Sequence, residues 1–348
     1  MRNIYFVFLT LTIFITACSS TNQVIIRTME PAPVTLSRQI KRIGIIDRST
    51  PIVHAEHSDK ITRIVYKQNY WLAEKGVDAA LSGLLQELQK DKRFDTVQLL
   101  SHIPEHMKDF GSVSTGISWT NLGSLCEKYN LDAIFSLASY ETDTKVSVKK
   151  TKMEEHGLMR EKIRVSGHEI TLETLIENGW RIYDPLNKQI IDEFTLNDRL
   201  VSTAKGRSPL RALQSIGNRT DSIISKSKSN GSSYGLRLQP YELDVNRDYF
   251  VRGTDNFAEA DEKAKNGDWQ AAAFLWKLEI TNEKARIRSK ACYNMAVYNE
   301  VTNNLELAIE WASKSVAEFK NKDSLRYLDA LNYRSTQNEV LLAQQLSR

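Results

Sequence analysis

The sequence predicts an α/β domain, a mixed sheet covered by helices, followed by an all-α domain of paired helices. Three observations carry this. Short apolar runs such as Ile43-Gly44-Ile45-Ile46 alternate with stretches of helical spacing through the first half. From Gly253 onward the apolar period is helical to the end. Within that stretch, small and aromatic residues recur at a near-constant interval, with Ala272 and Ala308 36 residues apart.

The chain opens with a segment of another kind. Arg2 supplies a positive start, Ile4 to Ile15 is apolar apart from threonines, and Ile15-Thr16-Ala17-Cys18 ends the run in small residues before a cysteine. That is a secretory signal, covering 1–17. The run is shorter than the roughly 20 apolar residues of a membrane-spanning helix, and polar Ser19-Ser20-Thr21-Asn22-Gln23 follows. Ile-Thr-Ala-Cys resembles the lipobox of bacterial lipoproteins. The resemblance implies cleavage before Cys18, diacylglycerol on its sulfur and an acylated new amino terminus. Each buried methylene contributes about 0.8 kcal/mol, so several acyl chains make a stable membrane tether. By resemblance to other diderm lipoproteins, serine after the cysteine, with no acidic run behind it, implies an outer-membrane location facing the periplasm. Residues 18–38, polar with Pro31 and Pro33, are expected to be an extended tether.

Residues 39–250 form the expected α/β domain. Ile40 to Ile46 reads as a strand buried on both faces. Val77, Leu81, Leu84, Leu85 and Leu88 then mark a helix, Val97 to Leu100 a strand, Trp119 to Tyr129 a helix and Ala133 to Ala138 a buried strand. This β-α-β-α-β order predicts a sheet with right-handed crossovers. Ile170, Leu172, Thr174 and Ile176 alternate with polar residues, Asp184-Pro185-Leu186-Asn187 suits a tight turn, and Ile190, Phe194 and Leu196 share a face of the returning strand. A helix is expected from Pro209 through Ile224, since proline suits a first turn. Lys226 to Gly235, rich in Lys, Ser, Asn and Gly, reads as the clearest break, and Leu236 to Arg252 as a segment wrapping back onto this domain.

Residues 251–348 are expected to be helical. Phe257 to Lys265 and Trp269 to Ile280 flank the turn Asn266-Gly267-Asp268; a second pair flanks Asn303-Asn304, and Ser324 to Leu346 caps the array. Small residues such as Ala272 and Ala308 let antiparallel helices approach closely, while Trp276 and Trp311 fill space against neighbours. Tyr293-Asn294-Met295-Ala296 and Leu305-Glu306-Leu307-Ala308-Ile309-Glu310-Trp311 resemble the two helices of a tetratricopeptide repeat, whose period is about 34 residues. The resemblance implies a protein- or peptide-binding groove, with Asp261, Lys265, Lys290, Tyr293 and Glu300 on its concave side. Two units fall short of the usual three, so an earlier repeat has diverged or the array leans on other structure.

The isoleucine-rich strand, long amphipathic helix and later amphipathic strands of the first domain look like the small α/β domain of the curli-secretion channel lipoprotein and of the Tol system's propeller protein. The whole arrangement is similar to a family of cell-envelope lipoproteins, which implies an address but no activity.

Composition narrows the function classes. Lys plus Arg is 47 and Asp plus Glu 43; of the resulting +4, Arg2 of the leader carries one, leaving +3. Such a small excess offers no electrostatic footprint for nucleic acid. Cys126 and Cys292 sit on apolar helical faces in separate domains and are expected to be buried free thiols. His102-Ile103-Pro104-Glu105-His106 has the inverted zinc-protease spacing, but Pro104 breaks the helix that would align the imidazoles. His54-Ala55-Glu56-His57 has no third ligand in view. Gly111 to Gly116 has the glycine spacing of a phosphate loop, yet Ile117 stands where lysine would be. We therefore expect no catalytic residue, metal or cofactor. The reading favoured is a non-enzymatic outer-membrane lipoprotein that binds protein or peptide through its repeats. The alternative is an envelope hydrolase or small-ligand receptor with its site at the strand ends near Asp47-Arg48, where open sheets often place ligands; the competing view of Asp47-Arg48 is a turn with a surface ion pair.

Overall fold

The computed structural model describes residues 20–49, 59–101, 103, 117–156, 162–318 and 322–346. Two compact units emerge: Ala32–Gln239, and a second that joins residues 20–31 to Pro240–Leu346.

The first unit is the α/β domain. Strand β1 (Thr21–Glu30) belongs to the second unit, so the sheet here starts with β2 (Arg42–Asp47), parallel to β3 (Thr96–Leu100) and to β4 (Ala133–His156). Strands β5 (Lys162–Asp184) and β6 (Gln189–Gly206) add antiparallel, giving the order β3-β2-β4-β5-β6. Two long helices, α1 (Lys60–Lys90) and α4 (Arg219–Leu236), cover one face; α2 (Trp119–Tyr129) covers the other, and the short α3 (Pro209–Gln214) precedes α4. Ile43 and Ile45 pack with Leu72, Val77 and Leu84 of α1 and Ile223 and Tyr234 of α4. Ile46 packs with Leu122, Leu125 and Cys126 of α2 on the opposite side. The apolar run of β2 is thus buried on both faces, and the expected β-α-β-α-β order is present. The β5–β6 turn forms where expected: Asp184 accepts from the Asn187 backbone N–H at 3.1 Å and from its Nδ2 at 2.7 Å.

Strand β4 runs on to His156, far beyond the apolar Ala133 to Ala138, because ladder hydrogen bonds to β5 need no apolar side chains. The single helix expected from Pro209 is broken at Asn218, whose φ of 60° is left-handed.

The stretch Lys226 to Gly235 is the interior of α4 and not a break. Its small residues let α4 cross α1 backbone to backbone. A Cβ on Gly231 would lie 1.8 Å from the Ala80 carbonyl oxygen, and one on Gly83 would lie 2.0 Å from that of Lys228. Ser232 Oγ donates to the Gly83 carbonyl at 3.2 Å across the same crossing.

The second unit corrects the expected tether. Residues Thr21–Glu30 form β1, paired antiparallel with β7 (Tyr241–Phe250) from Thr21↔Phe250 to Glu30↔Tyr241. Strand β7 therefore does not wrap onto the α/β sheet. Polar composition hid a β-branched alternation in which Ile26, Thr28 and Glu30 are buried while Ile25, Arg27 and Met29 are exposed. Five helices follow: α5 (Asp255–Lys265), α6 (Trp269–Leu278), α7 (Ala285–Val301), α8 (Leu305–Glu318) and α9 (Lys322–Leu346). The turns between paired helices use left-handed Gly267 (φ 81°) and Asn303 (φ 60°). Ala272 and Ala308 are fully buried, and the core that contains them also includes Phe257, Trp276, Met295 and Tyr249 of β7. Cys126 and Cys292 are buried free thiols. Among the described residues no helix is long and apolar enough to cross a membrane.

Candidate functional site

The expected groove residues converge, and what they hold is the β1–β7 ribbon. Asn294 of α7 reads the backbone of β7: its Oδ1 accepts from the Phe250 N–H at 2.7 Å, and its Nδ2 donates to the Phe250 carbonyl at 2.6 Å. One turn earlier, Lys290 Nζ donates to the Arg252 carbonyl at 2.7 Å and lies 5.0 Å from the centre of the Phe250 ring. Burial, with Arg286 nearby, lowers the Lys290 pKa. The Tyr293 ring meets that of Phe250 edge-on, centres 5.1 Å apart, and that of Tyr327 of α9 at a tilt, centres 4.9 Å apart.

Charged groups close the two ends of this contact. Burial pushes the Asp261 pKa upward, but hydrogen bonds from Lys265 (2.6 Å), Asn22 of β1 (3.0 Å) and Tyr249 of β7 (2.9 Å) outweigh it and hold the carboxyl below its usual range. Glu300, 1% exposed, receives Arg247 Nε of β7 at 2.8 Å, Tyr327 Oη at 2.8 Å and Arg334 Nη1 at 3.0 Å. The same carboxylate drives the Tyr327 phenol further above its usual value, after burial.

Asp261, Lys290, Tyr293 and Glu300 each touch the ribbon directly and Lys265 pairs with Asp261, so the residues expected to meet a partner on a concave side meet the chain's own β1–β7 ribbon. Asn22, Arg247, Tyr249, Asn294, Tyr327 and Arg334 complete the contact and were not singled out as site residues. Asn294 had a signal: it lies in Tyr293-Asn294-Met295-Ala296, the stretch that resembles a repeat helix, and a buried asparagine inside a helix needs partners for both ends of its amide.

The other candidate places differ. Asp47 Oδ1 accepts from the backbone N–H of Ser49 at 2.9 Å and from its Oγ at 2.6 Å, closing a turn at the end of β2. Arg48 is buried, not a surface residue, and donates to Tyr183 Oη at 3.1 Å. Ser118, after the glycine-spaced loop, caps α2 by accepting from the Asn121 N–H at 3.2 Å. Cys18 and the leader, the His54–His57 and His102–His106 motifs as ligand sets, and Gly111 to Gly116 lie outside the described residues. Among the described residues, no cluster of three or more His, Cys, Asp or Glu is placed to hold a metal ion.

Residues 40–250 match the family model described as Domain of unknown function (DUF8603), and 258–338 match Domain of unknown function (DUF6340). No curated protein matches the chain. Among solved structures, the chain is similar to the PelC dodecamer from Paraburkholderia phytofirmans, at 11% identity over 63% of this chain and 98% of that one, with a TM-score of 0.25. It is also similar to a neuraminyllactose-binding hemagglutinin homolog from Helicobacter pylori, at 11% identity over 59% of this chain and 89% of that one, with a TM-score of 0.22.

Proposed function

The chain belongs to the DUF8603 family through residues 40–250, and we propose that it is a non-enzymatic outer-membrane lipoprotein, held by acylated Cys18 and facing the periplasm, that binds an extended segment of a protein partner. The observation supporting this reading is the seating of β7: the repeat helices grip extended backbone through the Asn294 amide and the Lys290 ammonium. The ribbon has Asn294 on the outer edge of β7 and, among the described residues, no third strand beside β1. Its face away from the helices presents Ile25 and Met29, 67% and 44% exposed. A partner strand adding beside β1 gains main-chain hydrogen bonds, and apolar side chains at alternate positions supply selectivity. Membrane and protein partner are both required by this reading; nucleic acid and cofactor are not.

The test uses a photoreactive phenylalanine analogue at Ile25 or Met29 in the full chain in native membranes, with fatty-acid labelling in parallel. Polypeptide adducts are expected from both ribbon positions and not from Leu186, an exposed turn residue of the α/β unit. Label is expected on the wild type and not on Cys18→Ala. Adducts as abundant from Leu186 as from the ribbon, or an unlabelled wild type, count against the proposal.

A further inference from the structure

The α/β unit contains a cavity of about 360 Å³ beside the start of α4. Trp71, Leu72, Leu172, Leu213 and Ile216 form its apolar wall, and Arg219 also lines it.

Arg219 is 7% exposed. Its Nη2 donates to Asn69 Oδ1 at 2.6 Å, Thr144 Oγ1 at 3.0 Å and Thr174 Oγ1 at 3.4 Å, all neutral acceptors. Its Nε is buried with no partner. Among the described residues no carboxylate pairs with this guanidinium, and burial alone brings its pKa down to about 10. A buried charge without a counter-charge is costly to keep in a fold. Arg219 is also the first residue of α4, an 18-residue helix whose N-cap, Asn218, makes no side-chain capping bond. The first-turn N–H groups of such a helix add positive potential at the same place.

We propose that this cavity binds a small monocarboxylate with an apolar tail, its carboxylate at Arg219 and the α4 amino terminus and its tail along Trp71, Leu213 and Ile216. One cation and one helix end suit a single negative charge. Asp221, an exposed carboxylate that also lines the cavity, repels any anion and a doubly charged phosphate about twice as strongly as a carboxylate. The volume holds about a dozen non-hydrogen atoms at roughly 30 Å³ each. The site lies wholly within one unit and does not depend on the ribbon.

Octanoate is the probe, titrated by calorimetry and tryptophan fluorescence into the chain from residue 18 carrying Cys18→Ser. Saturable 1:1 binding is expected, with octylamine and inorganic phosphate at least tenfold weaker. Arg219→Met is expected to lose at least tenfold in affinity while its thermal midpoint holds or rises, since a lone buried charge is exchanged for an apolar chain. If Arg219→Met does not fold, Trp71→Ala carries the test: octanoate weakens severalfold and acetate does not. An N-acetylated dipeptide acid that binds as tightly as octanoate supports the same site and names a polypeptide terminus as the source of the carboxylate. No saturable octanoate binding, octylamine binding as tightly, or unchanged affinity in a folded Arg219→Met overturns the proposal, as does unchanged affinity in Trp71→Ala where that variant decides.

Discussion

Glu300 is where three elements close on one carboxylate: Arg247 from β7, and Tyr327 and Arg334 from α9, meet it on α7. Both arginines are themselves largely buried, so removing the acid leaves two cations without a counter-charge. Glu300→Ala is expected to destabilise the repeat unit by about 3–5 kcal/mol in urea denaturation followed by circular dichroism. Lys265→Ala, which removes an exposed partner of Asp261, is expected to cost less than about 1 kcal/mol. A loss for Glu300→Ala no larger than that for Lys265→Ala contradicts the keystone role. The repeat resemblance, and not helical periodicity, put Glu300 and Asp261 on one expected face. It carried no information about what that face meets, because Asn22 lies 239 residues from Asp261 and nothing local marks the pair.

At the scale of elements, the crossing of α1 and α4 shows why a Ser/Gly-rich stretch is ambiguous. Low intrinsic helix propensity argues for a linker, but packing overrides propensity where close approach is needed. Gly231 sits against the Ala80 carbonyl with no room for a methyl group. Gly231→Ala therefore forces the helices apart, and a loss of about 1–3 kcal/mol is expected by urea denaturation despite alanine's better helix propensity. Gly123→Ala in α2, where an added Cβ meets nothing within 4 Å, is expected to be neutral or stabilising. A stabilised Gly231→Ala means that the crossing is looser than described. The other elements were legible in proportion to their apolar pattern. Strand β2 and helix α2 were readable because each buries a continuous or periodic stripe. The polar half of β4 and all of β1 were not, since their order comes from a ladder with distant partners.

For the whole molecule, the α/β unit is an insertion: the chain leaves the second unit after β1, builds Ala32–Gln239, and returns at β7 to finish the ribbon and the helices. Thr21–Glu30, part of the stretch 18–38 expected as a tether, are instead half of a structural element. Two repeat-like helix pairs are stable here because Tyr249 and Phe250 of β7, with Val24 of β1, pack into their core. Burying Tyr249 fully and Phe250 in part contributes about 2–5 kcal/mol, a large part of a small domain's stability. Residues 253–346 made alone are therefore expected to be poorly helical with no cooperative melt. Residues 20–31 joined through a short Gly/Ser linker to 240–346 are expected to regain a sharp transition, and 32–239 alone to unfold cooperatively. If 253–346 melts as sharply and as high as the joined chain, the ribbon only decorates the repeats. Partner recovery lost on deleting 253–346 would then report on the helices alone, whereas with an integral ribbon it reports on both.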